Sequence, residues 1–288
     1  MTLRIPFFSR HRSQRDILPG FGLSMGVLTL WLGLLVLLPL SALILRPWQD
    51  GTAAMLATLH DSRMFAALGT SFSCAAIAAL ANIPAGLILA WTLARVDLPG
   101  RRIMDALIDL PFAIPTAVTG ITLATLYGPN GWIGGLLAKI GIQVAFTPAG
   151  IVIALMFVGL PFIVRSIEPV LRELPLDLEE AAMLLGARNW QIALRVILPP
   201  LLPATVTGFG LAFARGIGEY GSVIFIAGNK PFFSEIAPLL IVVRLQEFNY
   251  PGATSIALLL LIASLICLIA VSFLRRHVSR GLIVGDTP

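Results

Sequence analysis

The chain has 288 residues, 57% of them hydrophobic and 12% charged, with a mean hydropathy of +0.91. A soluble domain carries about 25% charged residues, so a domain bathed in water on all sides is excluded, and the length suits roughly six spans of about 20 residues plus loops. The net charge of +5 does not mark a nucleic-acid protein, because the basic residues are spread over separate loops and not gathered on one face.

The chain opens on a basic tail, residues 1–19, holding Arg4, Arg10, Arg12 and Arg15. Six apolar segments follow, over Gly20–Leu45, Met64–Ala94, Ala106–Tyr127, Pro148–Ile167, Pro203–Ala227 and Gly252–Leu274. At about 1.5 Å per residue each is long enough to cross a hydrocarbon core of about 30 Å. The expected fold is therefore an all-α integral membrane protein: a single transmembrane domain over 20–274 and a basic C-terminal tail over 275–288. The first segment is too long for a signal-peptide core and is read as a retained span.

Within that segment, GLSMG (Gly22–Gly26) matches the letters of a nucleophile elbow. It opens an apolar helix instead of a strand–turn–helix, and the three histidines, His11, His60 and His277, lie in loops or tails. Gly22 and Gly26 are read as helix-packing positions, and neither a catalytic residue nor a metal site is expected. Cys74 and Cys267 both fall inside spans and are read as small apolar fillers, not a disulfide.

The third segment carries Asp105 and Asp109 four residues apart, then Pro111 and Pro115. The spacing puts both carboxylates on one helical face, and the prolines break the regular backbone behind them. Arg101 is placed for a helix-end ion pair with Asp105. A capped, kinked span and a gate-lining role both fit these four residues.

Between the fourth and fifth segments lies a polar stretch, about residues 168–200, containing EAAMLLGARNWQIALRVILP (Glu180–Pro199). It reads as two short helices. Asp177 and Glu180 have capping-box spacing, Gly186 is placed to end the first helix, Asn189 to cap the second, and Pro199 with Pro200 to stop it. In the fifth segment Arg215 and Glu219 share a face, with Arg215 about 18 Å along from Pro203 and so near mid-bilayer. A charge there costs at least about 2.5 kcal/mol unless paired or wetted. Gly216, Gly218 and Gly221 beside it favour close packing or an anion's approach. A mutual ion pair and an anion-binding pathway arginine both remain open. In the last outer loop Arg244, Gln246 and Glu247 suit either solvent or an external partner.

If six spans alternate, the N-terminal tail, Arg95, Arg101, Arg102, Arg165, Arg172, Arg188, Arg195, Arg275, Arg276 and Arg280 share one side. Only Arg46, Arg63, Lys139, Lys230 and Arg244 fall on the other. The positive-inside rule puts the first side, and both termini, in the cytoplasm.

That places the Glu180–Pro199 stretch in the cytoplasm, just before the fifth span. Glu180-Ala181-Ala182, then Gly186, then Val196, Leu198 and Pro199 resembles the signature loop of importer permeases of the ATP-binding-cassette superfamily, with Val196 where an isoleucine is more usual. DALIDLPFAIPTAVTGITLATLYG (Asp105–Gly128), ARGIGEYGSVIFIAGN (Ala214–Asn229) and VVRLQEFNYPGA (Val242–Ala253) resemble the sulfate/thiosulfate branch of that family.

The resemblance implies a helix-turn-helix coupling loop that docks two ATPase subunits. It also implies a second permease subunit, a paralogue, completing the pathway, an extracytoplasmic sulfate-binding protein, and a bacterial inner-membrane location among lipid. Molybdate or another oxyanion is the alternative cargo, and a proton-coupled carrier using Glu219 the alternative class. Lys139 and Lys230 are the only lysines, and neither stands in Gly-Lys-Ser/Thr. No cofactor is expected on this chain; ATP and Mg belong to the partner ATPases.

Overall fold

In a computed structural model the described residues are 21–49, 52–97 and 99–283. The expected tail 1–19 and the last residues of the C-terminal tail lie outside them. The described residues form fourteen α-helices joined by turns and loops, with no strand among them. In chain order these are α1 (Phe21–Leu32), α2 (Leu38–Gln49), α3 (Thr52–Leu59), α4 (Ser62–Arg95), α5 (Arg101–Ala113), α6 (Thr116–Tyr127) and α7 (Trp132–Lys139). They continue as α8 (Pro148–Glu173), α9 (Asp177–Leu184), α10 (Asn189–Ile192), α11 (Leu198–Ile217), α12 (Val223–Ile226), α13 (Ala237–Gln246) and α14 (Tyr250–Ile283).

Five helical stretches are long and apolar enough to cross a membrane, or six if the bent pair of the third segment is one span. The expected all-helical architecture holds, with three differences in detail. The third segment is not one kinked helix. It bends by 107° between α5 and the helices after it, and the break falls at Ile114–Pro115, since Pro111 sits inside α5. Pro115 has no N–H to continue the ladder, and the residue before a proline is pushed out of the helical region; Ile114 accordingly takes φ −84°, ψ 132°.

The fifth segment differs more. Pro199 and Pro200 do not stop a helix. A π turn over Ala193–Ile197 carries α10 into α11, giving a helical stretch from Asn189 to Ile217. An α-helical turn would drive the two proline rings against the carbonyls of Arg195 and Val196; the wider turn takes them up. At its other end the helix stops at Ile217, ten residues short of the expected Ala227, and α12 follows separately. The sixth segment runs on to Ile283, so the expected tail begins as helix.

The core forms where α4, α8 and α11 meet. Ala75, Ala78, Ala79, Ala154, Ile163, Ile167 and Ala212 are buried there, and small side chains let membrane helices approach closely. Asn82, also buried, donates from Nδ2 to the Met156 carbonyl of α8 at 2.9 Å. By contrast α1 and the Cys267–Leu274 stretch of α14 are mostly exposed and apolar. Among the described residues Gly22 and Gly26 have nothing within 4 Å of an added Cβ, so there they pack no helix pair. Cys74 and Cys267 are both unoxidised.

Candidate functional site

The Glu180–Pro199 stretch is built by local chemistry. α9 begins at Asp177 with Leu176 before it and no side-chain cap, so the expected Asp177–Glu180 capping box is absent. Instead Asp177, Glu179 and Glu180 fill the first turn, where the helix dipole favours negative charge. Its C-terminus closes as a Schellman turn: Gly186 N–H donates to the Met183 carbonyl at 2.9 Å, and Ala187 N–H to the Ala182 carbonyl at 3.0 Å. Gly186 stands at φ +82°, as that turn requires. The cap residue of α10 is Arg188, not Asn189, and its N–H donates to the Gln191 side chain at 2.8 Å.

Glu180 and Ala181 are exposed and Ala182 half-buried. Leu184 and Leu185 at the turn are each 89% exposed, with Leu176, Leu178, Met183 and Trp190 exposed around them. An apolar cluster of this kind on a polar loop marks an interaction surface. Val196, Leu198 and Pro199 sit apart from that tip, half-buried at the root of α11. The knob is anchored to the bundle by Arg95, the last residue of α4. Its Nη2 lies 3.1 Å from Glu179 and donates to the Leu174 carbonyl at 2.8 Å. Sequence reading missed this anchor, since Arg95 and Glu179 carry no shared periodicity.

Along the same half of the bundle, Arg165 of α8 gathers the third-segment acids. It meets Asp109 through two bonds, 3.0 and 2.6 Å, Asp105 at 2.8 Å and Glu168 at 2.9 Å. Arg172 closes on the other side of Glu168, which is buried. The partner of Asp105 is thus Arg165, not Arg101. Arg165, Glu168 and Arg172 stand at i, i+3 and i+7 inside an apolar helix, a signal that was legible but unused. Arg165 therefore straps α5 to α8.

Arg215 and Glu219 do pair. Arg215 lies in the last turn of α11 and so near the helix end, not its middle. Glu219 is only 2% exposed and also accepts from Ser222 N–H and Ser222 Oγ, both at 3.0 Å. It thereby shapes the chain just past the break in the fifth span. That turn presses on the start of α6: a Cβ on Gly221 would come within 2.2 Å of Thr116 Oγ, and one on Gly120 within 2.4 Å of the Ser222 carbonyl. The breaks in the third and fifth spans therefore meet. The Arg215 side chain remains 38% exposed.

At the end away from the Gly186 turn, Asp61 caps α4 by accepting from Arg63 N–H at 2.9 Å. Arg63 makes a two-bond pair with buried Glu235, 2.8 and 2.7 Å. Arg244 bridges Asp61 at 2.8 Å and Glu247 at 3.0 Å. Arg244 thus ties the end of α13 to the start of α4, while Gln246 and Glu247 stay exposed beside it. No group of three or more metal-ligating side chains occurs among the described residues.

Residues 82–284 match the family described as binding-protein-dependent transport system inner membrane components. The chain is 46% identical over 271 residues to the sulfate transport system permease protein CysT of Escherichia coli K12, covering 94% of this chain and 98% of that one. It is 41% identical to the CysT protein of Synechocystis over 278 residues, 96% and 97% of the two chains. Among solved structures it superposes on a chain of a bacterial ABC transporter that imports the acidic polysaccharide alginate. The TM-score is 0.74 at 16% identity, with 90% of this chain and 96% of that one covered. A chain of the MetNI methionine ABC transporter gives a TM-score of 0.54 at 20% identity, covering 75% and 94%.

Proposed function

This chain belongs to the family of binding-protein-dependent transport system inner membrane components, and we propose from that premise that it is a permease subunit of an ATP-driven sulfate/thiosulfate importer in the bacterial inner membrane. The observation that carries this reading is the Glu180–Pro199 knob, with its Schellman turn at Gly186, its bare Leu184–Leu185 tip and its anchor at Arg95. A carrier driven by protons alone has no use for such a knob. The cargo class is supported by the CysT relatives and their coverage of nearly the whole chain.

In this reading ATPase subunits, two per complex, seat the knobs and supply ATP and Mg chemistry. A paralogous permease completes the pathway, and an extracytoplasmic binding protein delivers the anion. Both termini are cytoplasmic, as the distribution of arginines favours. Arg215 faces the pathway while Glu219 and Ser222 hold its mount.

The test is to purify the intact complex, identify every chain, and measure radiolabelled sulfate uptake in vesicles with and without ATP. ATP-dependent uptake competed by thiosulfate is expected. Uptake driven by a proton gradient without ATP would overturn the reading, and competition by molybdate but not thiosulfate would change the cargo.

A further inference from the structure

α13 closes with the same pair of hydrogen bonds as α9. Phe248 N–H donates to the Leu245 carbonyl at 3.1 Å and Asn249 N–H to the Arg244 carbonyl at 2.9 Å, the two bonds of a Schellman turn. At the end of α9 the left-handed residue is Gly186; at the end of α13 it is Phe248, at φ +57°. Glycine takes that conformation without steric cost, whereas a bulky L side chain there is an outlier. Burial of the ring does not offset the cost, since Phe248 is 77% exposed. The turn is held from both sides. Before it, Arg244 pairs with Asp61 and Glu247. After it, Asn249 caps α14: its Oδ1 accepts from Gly252 N–H at 2.9 Å, and its carbonyl from Ala253 N–H at 3.0 Å.

A second loop repeats the pattern. Phe232 stands at φ +62° and is 63% exposed. Its turn is closed by Ser234 N–H to the Lys230 carbonyl at 2.9 Å and by Lys230 N–H to Ser234 Oγ at 3.2 Å. The next residue, Glu235, is pinned to Arg63. Both loops are thus fixed to the start of α4, one at Asp61 and the other at Arg63. Strained backbone that is held rigid and carries an exposed side chain marks a binding surface.

The surroundings decide what kind of partner fits. Beside Asn249 opens a cavity of about 240 Å³, with Thr58, Asp61 and Arg244 also in its wall. A lipid tail laid there would meet charged and polar groups. Asp61, Arg63, Glu235, Arg244 and Glu247 gather at this end, and hydrocarbon penalises such a set, so Phe248 stands beyond the apolar layer. Side chains that moor a protein at a bilayer surface are chiefly Trp and Tyr, whose polar tips suit it; phenylalanine has none. A rigid aromatic ring set among polar groups is instead the usual anchor of a protein interface, because little freedom is lost on docking.

We propose that Phe248 is the anchor on which the extracytoplasmic binding protein docks, its ring entering an apolar socket on that protein, with Phe232 as a second contact. The proposal rests on the importer reading above, which turns this end outward. The strained turn is the cost of presenting the ring in a fixed direction.

The experiment titrates the whole purified complex with the importer's own binding protein, loaded with sulfate, and reads the concentration that half-stimulates ATP hydrolysis. Phe248→Gly removes the ring and supplies the residue that the turn favours, so the variant folds. The half-stimulating concentration should rise about tenfold or more, while the melting temperature of the complex stays equal or rises. Phe232→Ala should raise that concentration by a smaller factor.

An unchanged concentration in Phe248→Gly overturns the proposal. So does a melting temperature that falls with it, because the ring then supports the fold. Loss of the second permease from the purified variant assigns the ring to the permease pair. An effect present in phosphatidylglycerol nanodiscs but absent in detergent assigns it to lipid; either result also overturns the proposal. If no loaded binding protein stimulates the unaltered complex, the importer reading fails instead, so the two failures are distinguishable.

Discussion

At Gly186 the backbone stands at φ +82° and a Cβ added there would meet nothing within 4 Å, so any side chain is penalised by conformation and not by collision. An L-residue in the left-handed region costs roughly 1–2 kcal/mol, and a β-branched one more. Asparagine is the side chain that best tolerates the position. Gly186→Val should leave the chain inserted but cut the amount of ATPase that co-purifies, whereas Gly186→Asn should retain most of it; equal recovery from both would remove the turn from the coupling account. Arg215 is read by a different pair. Lysine can still neutralise Glu219, so a purely structural role predicts near-normal uptake from Arg215→Lys, while a pathway role predicts a loss of about tenfold or more. Arg215→Met with Glu219→Gln removes both charges, and the glutamine Oε1 can still accept from Ser222. We expect an assembled complex without sulfate uptake; full uptake from this double variant would leave the fifth span as packing alone.

At the scale of elements, the informative feature is how the knob is joined to the bundle. α9 is only eight residues long, too short to be stable alone in water. Its orientation comes from Arg95, which holds Glu179 at the start of α9 and the Leu174 carbonyl at the end of α8. The knob is therefore tied to α4, one of the helices that form the core. Arg95→Glu should lower uptake sharply and reduce ATPase association, because two carboxylates then oppose each other in a mostly enclosed site. Adding Glu179→Arg should restore part of the loss, but not all, since the bond to Leu174 depends on the donor's position. Paired uptake and co-purification measurements decide it: no loss in the single variant, or no recovery in the swap, would reassign Arg95 to topology alone. The strap of Asp105, Asp109, Glu168 and Arg172 around Arg165 does the same for α5, fixing one half of the broken third span to α8.

For the whole molecule, burial is uneven in a way that composition alone does not reveal. α4 and α8 supply much of the core, while α1 has no buried residue and stays apolar on every side. Such a helix is comfortable only in lipid or against another chain. The two ends of the bundle are closed differently: the Asp61–Arg63–Glu235–Arg244 network ties one end, and the Arg95–Glu179 anchor carries the knob at the other. Neither lysine stands in a phosphate-binding loop, so the purified chain should show no saturable ATP hydrolysis. The assembled complex should hydrolyse ATP, faster when loaded binding protein is added. ATP turnover by the pure chain would refute the division of labour.

The amino-acid sequence by itself determined what is local or compositional. Apolar run lengths announced the spans, and the distribution of arginines favoured an orientation. The spacing from Glu180 to Pro199 announced two short helices about the Gly186 turn, because a helix, a glycine turn and a second helix need only near neighbours. The Arg215–Glu219 pair was likewise legible from a separation of four. Tertiary structure alone decided the partners that lie far apart: Arg63 with Glu235, Arg95 with Glu179, and Arg165 with Asp105 and Asp109. No periodicity links such residues; only the packing of α4, α5, α8 and the later loops brings them together. It also decided what each proline does. At Pro115 the chain turns away by 107°, whereas at Pro199 and Pro200 a π turn lets the helix run on. A proline removes one donor and crowds one carbonyl in every case, and whether the helix ends or adapts depends on what the neighbouring helices will pack against.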